Sequence, residues 1–176
     1  MAIEEPRFEL VQQHPSGKLE LRRYPGFVVA ETEVTGGFDE ASRSGFRRIA
    51  GYIFGGNQSG SGTPQKIAMT APVTVEPKPD GWRLHFVMPS DMGIDALPKP
   101  NDPAVRIRAV GEHHMAAIRF SGFTTEAAVA EKTAELEAWI QEQGWARKGS
   151  AQVARYNDPF TLPWNRRNEI LIPVAP

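Results

Sequence analysis

Four histidines, His14, His85, His113 and His114, are the side chains of this 176-residue sequence that exchange protons near neutrality and also ligate metals well. Their spacing matches no common metal device: HxH, HExxH and HxxxH are all missing. His113 and His114 are neighbours on a strand and point to opposite faces, so they cannot share one ion. His85 alternates in phase with Arg83 and reads as a polar residue at a sheet surface. No cysteine is present, which removes disulfides, thiolate zinc sites, iron–sulfur clusters, covalent haem and thiol catalysis together. A single histidine is enough for an axial haem ligand, so that chemistry stays open.

The stretch GGNQSGSGT at 55–63 has the look of a phosphate cradle. It lacks the P-loop lysine and runs on into KIAMTAPVTV, a strand-like segment, where the mechanism needs a helix N-terminus. It therefore reads as a helix-to-strand linker, and with no GxSxG elbow serine hydrolysis has no support. The basic pairs Arg22-Arg23, Arg47-Arg48 and Arg166-Arg167 are scattered among acids, so no nucleic-acid face is expected. Two readings stay open for them: arginines at the rim of an apolar groove meeting ligand carboxylates, or ordinary pairing such as Arg167 with Glu169. Glu126, Glu131, Glu135, Glu137 and Glu142 have the spacing of a solvated helix face. Phe54, Met69, Phe160, Leu162 and Trp164 are large apolar residues where a closed core does not obviously need them. The last three lie in a turn-bounded loop, 157–165, which either packs down or lines a pocket.

Composition limits what these residues can serve. Lys+Arg 20 against Asp+Glu 21 gives a net charge of −1, which supplies no general attraction for nucleic acid or anionic membranes. The N-terminal MAIEEPRFEL lacks the features of a secretory signal, so the cytoplasm is the expected compartment. The longest uncharged run, 49–65, is broken by glycines and Pro64, and no membrane span is expected.

Residues 27–34 alternate with period two and predict a strand; from Phe38 the apolar residues recur every three or four and predict a helix of about four turns, stopped by Gly55-Gly56. Lys66 to Glu76 predicts a strand that Pro72 confines to an edge or a bulge, and residues 82–88 predict another. After a proline-rich connection, strands are predicted at 105–109 and 115–120, then a helix from Ala127 to Gln143 capped by Gly144, then strands at 152–156 and 168–174. The halves share landmarks: TGGF and SGF before the helices, AMTAPV against ARYNDPF, FVMP against LIPV. Phe38 to Pro72 spans 34 residues and Phe123 to Pro159 spans 36. The chain thus predicts an α+β single domain over 1–176, with β-α-β-β pseudo-repeats at about 27–89 and 115–174 and an extra segment at Leu19–Tyr24. The halves are expected to form one barrel-like antiparallel sheet with both helices outside.

LELRRYPGFVVAETEV at 19–34, GFRRIAGYIFGGN at 45–57, KIAMTAPVTV at 66–75, FVMP at 86–89 and YNDPFTLPWNRRNEILIPV at 156–174 together resemble the SOUL haem-binding protein family. The resemblance runs from about residue 7 to 174. It implies a distorted antiparallel β-barrel with two flanking helices, and reversible, non-covalent binding of haem or a related tetrapyrrole in a hydrophobic groove, as a carrier or buffer. Carried onto this chain, Arg43, Phe46 and Ala50 would line the groove from the first helix, with Arg43 meeting a propionate. Phe160, Leu162 and Trp164 would line it from the loop. Some members have a histidine, proposed as the iron ligand, where this chain has Arg23, so haem without a strong fixed axial ligand is expected. A wider resemblance, to small-molecule effector-binding domains of the same duplicated type, implies the alternative of a xenobiotic hydrolase built on a buried glutamate. Its mark would be a carboxylate with a raised pKa, for which Glu31, Glu33 and Glu169 are the candidates.

Overall fold

The computed structural model describes residues 3–158 and 160–176. In chain order it contains β1 (Glu9–Gln13), β2 (Leu19–Tyr24), β3 (Phe27–Val34), α1 (Phe38–Ile53), β4 (Asn57–Gln58), β5 (Val73–Lys78), β6 (Gly81–Val87), β7 (Lys99–Pro100), β8 (Val105–Val110), β9 (His113–Phe120), α2 (Glu126–Gln143), β10 (Ala146–Arg147), β11 (Gln152–Arg155) and β12 (Asn168–Ala175). Single 3₁₀ turns occur at Ile94–Ala96 and Pro163–Asn165. The chain divides into two compact units.

The first unit takes the segment up to Pro6 and Gly26–Gly111. Its strands run antiparallel in the order β5-β6-β3-β8, with β4 paired separately to β7. Period-two alternation turns Ala30, Leu84, Phe86, Val75 and Val105 to one face, where Ile49, Tyr52 and Ile53 of α1 cover them. The helix comes close because position 45 is glycine: a Cβ there would sit 2.7 Å from a Leu84 methyl. The strand expected from Lys66 begins only at Val73, just after Pro72. Before it the chain is irregular, held by Ile67 N–H to the Ile53 carbonyl at 2.9 Å and by the Thr70 hydroxyl to the Val87 carbonyl at 2.6 Å. Pro72 has no N–H for a ladder, so the ladder starts behind it.

The second unit takes Arg7–Pro25 and Glu112–Pro176. Its order is β1-β2-β9-β12-β11, antiparallel throughout, with β10 also on β12. Ile118, Ile170 and Ile172 are buried, as are Leu136, Trp139 and Ile140 of α2, which packs on β9 and β12. Thr125 caps α2 by accepting from Ala128 N–H at 3.1 Å, and Gly144 ends it in the left-handed conformation at φ 77.

The expected succession of strand, helix, strand, strand is present twice, as β3-α1-β5-β6 and β9-α2-β11-β12. The segment at 19–24 is not an unmatched extra. β2 precedes β3 but pairs with β9, and β8 precedes β9 but pairs with β3. The strand just before β3 thus belongs to the second unit, and the strand just before β9 to the first. The proline landmarks do not correspond: Pro72 leads into β5, whereas the NDPF segment follows β11, and Pro159 itself lies outside the described residues. The architecture is mostly antiparallel α+β, and in neither unit do the strands close into a ring.

Candidate functional site

On α1, Arg43, Phe46 and Ala50 fall at i, i+3 and i+7, within one side of the helix. Arg43 is exposed and has no hydrogen bond or ion pair among the described residues. Phe46 keeps 40% of its surface open while its ring leans on Phe86, centroids 5.9 Å apart. Ala50 is 9% exposed, so it sits at the margin of the core. Phe54, the C-cap one turn on, continues the stripe at 59% exposure. A cation, an open aromatic face and a small side chain on one side of a helix are groups that a flat apolar ring bearing a carboxylate can use.

In the second unit, Phe160, Leu162 and Trp164 are exposed on the β11–β12 connection. That loop is nonetheless well tied. Gly122 N–H donates to the Pro163 carbonyl at 2.8 Å, Asn165 N–H to the Leu162 carbonyl at 2.9 Å, and Arg166 Nε to the Thr161 carbonyl at 2.8 Å. Arg166 also lies over the Phe123 ring at 4.8 Å. The loop is thus a backbone-fixed apolar projection.

Sequence reasoning did not place the charged groups that alternate with the core residues. Adjacent residues of a strand face opposite ways, and so the pair Arg22-Arg23 splits. Arg23 is half-buried, bonded to Glu9 at 2.9 Å and Glu112 at 3.0 Å. Arg22 is 1% exposed and grips Glu169 with two nitrogens, at 2.8 and 2.6 Å, while its Nε donates to Glu20 at 2.8 Å. The Tyr156 hydroxyl donates to the same Glu169 carboxylate. Burial pushes the Glu169 carboxyl up, but Arg22 and the Tyr156 hydroxyl outweigh it and hold the pKa below the usual range. Burial and the Glu169 charge push the Tyr156 phenol upward.

The first unit has a counterpart. Glu31, fully buried on β3, accepts from Arg108 Nε and from Arg106 at 3.2 Å, with Arg83 3.5 Å away. Arg83 in turn bonds Glu76 at 2.6 and 2.7 Å. Burial again raises the Glu31 carboxyl and the arginines, Arg108 first, bring it below its ordinary value. His85 is not the surface residue its alternation suggests. It is half-buried beside these charges, and desolvation lowers its pKa to about 4, so the imidazole is neutral at pH 7. Glu33 is exposed. Neither Glu31 nor Glu169 has the raised pKa that would support the hydrolase alternative. Among the described residues no group of three or more His, Asp or Glu could hold a metal ion, and no helix is long and apolar enough to cross a membrane.

This mostly antiparallel α+β arrangement is shared with solved structures. The C-terminal domain of EcmrR matches with a TM-score of 0.66 over 90% of this chain and 97% of that one, at 13% identity. A hydrolase from Listeria innocua matches with a TM-score of 0.64 over 90% and 92%, at 14% identity. At such identities the likeness is one of fold. In sequence the chain matches the model of the SOUL heme-binding protein family over residues 3–173, and it belongs to that family. Heme-binding protein 1 of Xenopus laevis is 28% identical over 159 residues, 86% of this chain and 80% of the relative. Heme-binding protein 2 of Mus musculus is 29% identical over 163 residues, 88% and 77%.

Proposed function

We propose that this protein binds haem or a related tetrapyrrole non-covalently, as a carrier or buffer. The observation that carries the reading is the exposed line on α1: Arg43, which has no hydrogen-bond or ion-pair partner among the described residues, beside the open face of Phe46, with Ala50 on the same side of the helix. Membership of the family supports it. Arg43 would meet a propionate, and Phe46 and Ala50 would carry the ring by apolar burial. Phe160, Leu162 and Trp164 belong to the proposal as an exposed apolar set on the second unit, open to a ligand. Haem, when bound, supplies an iron centre. The chain's part is to hold the ring and its carboxylates, since Arg23 is engaged with Glu9 and Glu112 and guanidinium does not ligate iron. Two fully buried glutamates held below the ordinary carboxylate range favour binding over acid–base hydrolysis.

The test is an absorbance titration with haemin and metal-free protoporphyrin in parallel. Both should bind with similar affinity, because packing and carboxylate pairing do not depend on iron. Arg43→Glu should weaken both about tenfold, 1.4 kcal/mol, while the melting temperature stays put. Equal affinity for wild type and Arg43→Glu would overturn the placement, and binding of haemin alone would overturn the ligation-free reading.

A further inference from the structure

The first unit's sheet has a second chemical face, turned away from α1. In register across it stand Thr74 on β5, His85 on β6, Glu31 on β3 and Arg106 on β8. Arg108 lies two residues along β8 and reaches the same carboxylate. Arg83, Glu76, Glu33 and Lys78 complete the charged groups of that face; their sum, with His85 neutral, is one surplus positive charge.

The surplus is not evenly available. Glu31 has both oxygens occupied, and Arg83 is only 18% exposed and clamped by Glu76. The side chains of Arg106 and Arg108 are 63% and 42% exposed, and each spends a single nitrogen on Glu31. Guanidinium offers five N–H donors in a planar fork, so most of theirs point outward with their orientation already fixed by Glu31. His85 adds a polar atom, Nδ1, shielded from solvent and without a hydrogen-bond partner among the described residues. Such an atom is satisfied by a bound water or a ligand oxygen.

We propose that this face binds an oxyanion, a carboxylate or phosphate group of a small molecule, between the guanidinium groups of Arg106 and Arg108 with His85 alongside. Glu31 is the residue that positions both arginines. This site lies on the opposite sheet face from Arg43, Phe46 and Ala50 and stands independently of the tetrapyrrole reading.

The experiment is an NMR titration of the full chain, following arginine Nε–H and histidine ring resonances, with sodium phosphate and separately with sodium acetate at constant ionic strength. Saturable shifts at Arg106, Arg108 and His85 in either arm support the site; the tighter arm identifies phosphoryl or carboxylate as the group recognised. Arg106→Gln, which leaves Glu31 paired with Arg83 and Arg108, should weaken the saturating anion at least fivefold, and Arg108→Gln at least as much. If Arg108→Gln does not fold, Arg106→Gln decides alone. Exposed Arg147 on the second unit is the reference. Linear shifts of equal size at Arg147, or an unchanged affinity in Arg106→Gln, would mean an ion atmosphere only and would overturn the proposal.

Discussion

Glu31 and Glu169 are both fully buried carboxylates on antiparallel strands, both held ionised by arginine, yet the arginines differ. Glu169 is gripped at two points by one guanidinium as buried as itself and by a tyrosine hydroxyl, with Arg119 and Arg167 farther off at 3.6 and 3.9 Å. Glu31 faces three guanidinium groups of 18%, 63% and 42% exposure, none of them bidentate. The difference teaches that the same carboxylate can serve two ends. A closed pair, taken wholly out of water, is costly to break and offers nothing to a ligand; an open one fixes its arginines while leaving their outer donors for another anion.

The largest effect should come from opening the closed cluster. Arg22→Met removes the bidentate partner and leaves Glu169 buried with the Tyr156 hydroxyl and more distant arginines at 3.6 and 3.9 Å. The expected loss is about 3–5 kcal/mol in denaturant unfolding. A loss under about 1 kcal/mol would show that the second cluster is as replaceable as the first, and the contrast would go.

Much of the fold was legible in the sequence, and the clusters were not, for one reason. Period two at 27–34 and period 3.6 in both helices are local signals, and Gly144 is a local stop, so β3, α1 and α2 stand within a residue or so of expectation. β1 is exposed at all five positions, so it has no inward face to produce an alternation, and it went unseen. The exchange of β2 and β8 depends on register with distant strands, which no window reports. Glu31, Glu169 and Arg22 occupy the polar phase of their strands, which by itself does not tell a buried charge from a solvated one. Glu20-Leu21-Arg22 and Arg167-Asn168-Glu169, each with acid and base on the same strand face, were the local hints of a paired cluster. Of the α1 residues that the resemblance singles out, Arg43 and Phe46 are exposed, whereas Ala50 lies at the margin of the core.

The second effect is a pH window that belongs to the open cluster. His85 titrates near 6.5 when unfolded and at about 4 when folded, so folding favours its neutral form. A depressed folded value means that its contribution is complete above pH 6.5 and is lost as the pH falls from there to about 4. The full shift corresponds to about 3 kcal/mol, reduced towards 1 by the ring's partial exposure. The two carboxylates, also depressed, lose their contribution only below about pH 4.5. His85→Gln should therefore flatten the stability profile between pH 6.5 and 4.5 and leave the steeper acid limb in place. A profile unchanged by the substitution would move the loss to another group and detach His85 from the cluster.

The smallest effect is the most discriminating. Arg108→Gln removes one guanidinium from Glu31 but leaves Arg106 at 3.2 Å and Arg83 at 3.5 Å, on an edge where water screens the change. A hydrogen bond from a charged donor is worth about 1.5–3 kcal/mol when buried, and partial exposure brings the expected cost to about 1 kcal/mol. Because the sites share no residue, Arg22→Met with Arg108→Gln should give nearly the sum of the single losses, within about 0.5 kcal/mol. A loss of 3 kcal/mol or more for Arg108→Gln alone would make Glu31 a closed pair like Glu169. Arg108 would then be a structural residue whose outer donors are incidental, and the oxyanion site would have to stand on Arg106 and His85.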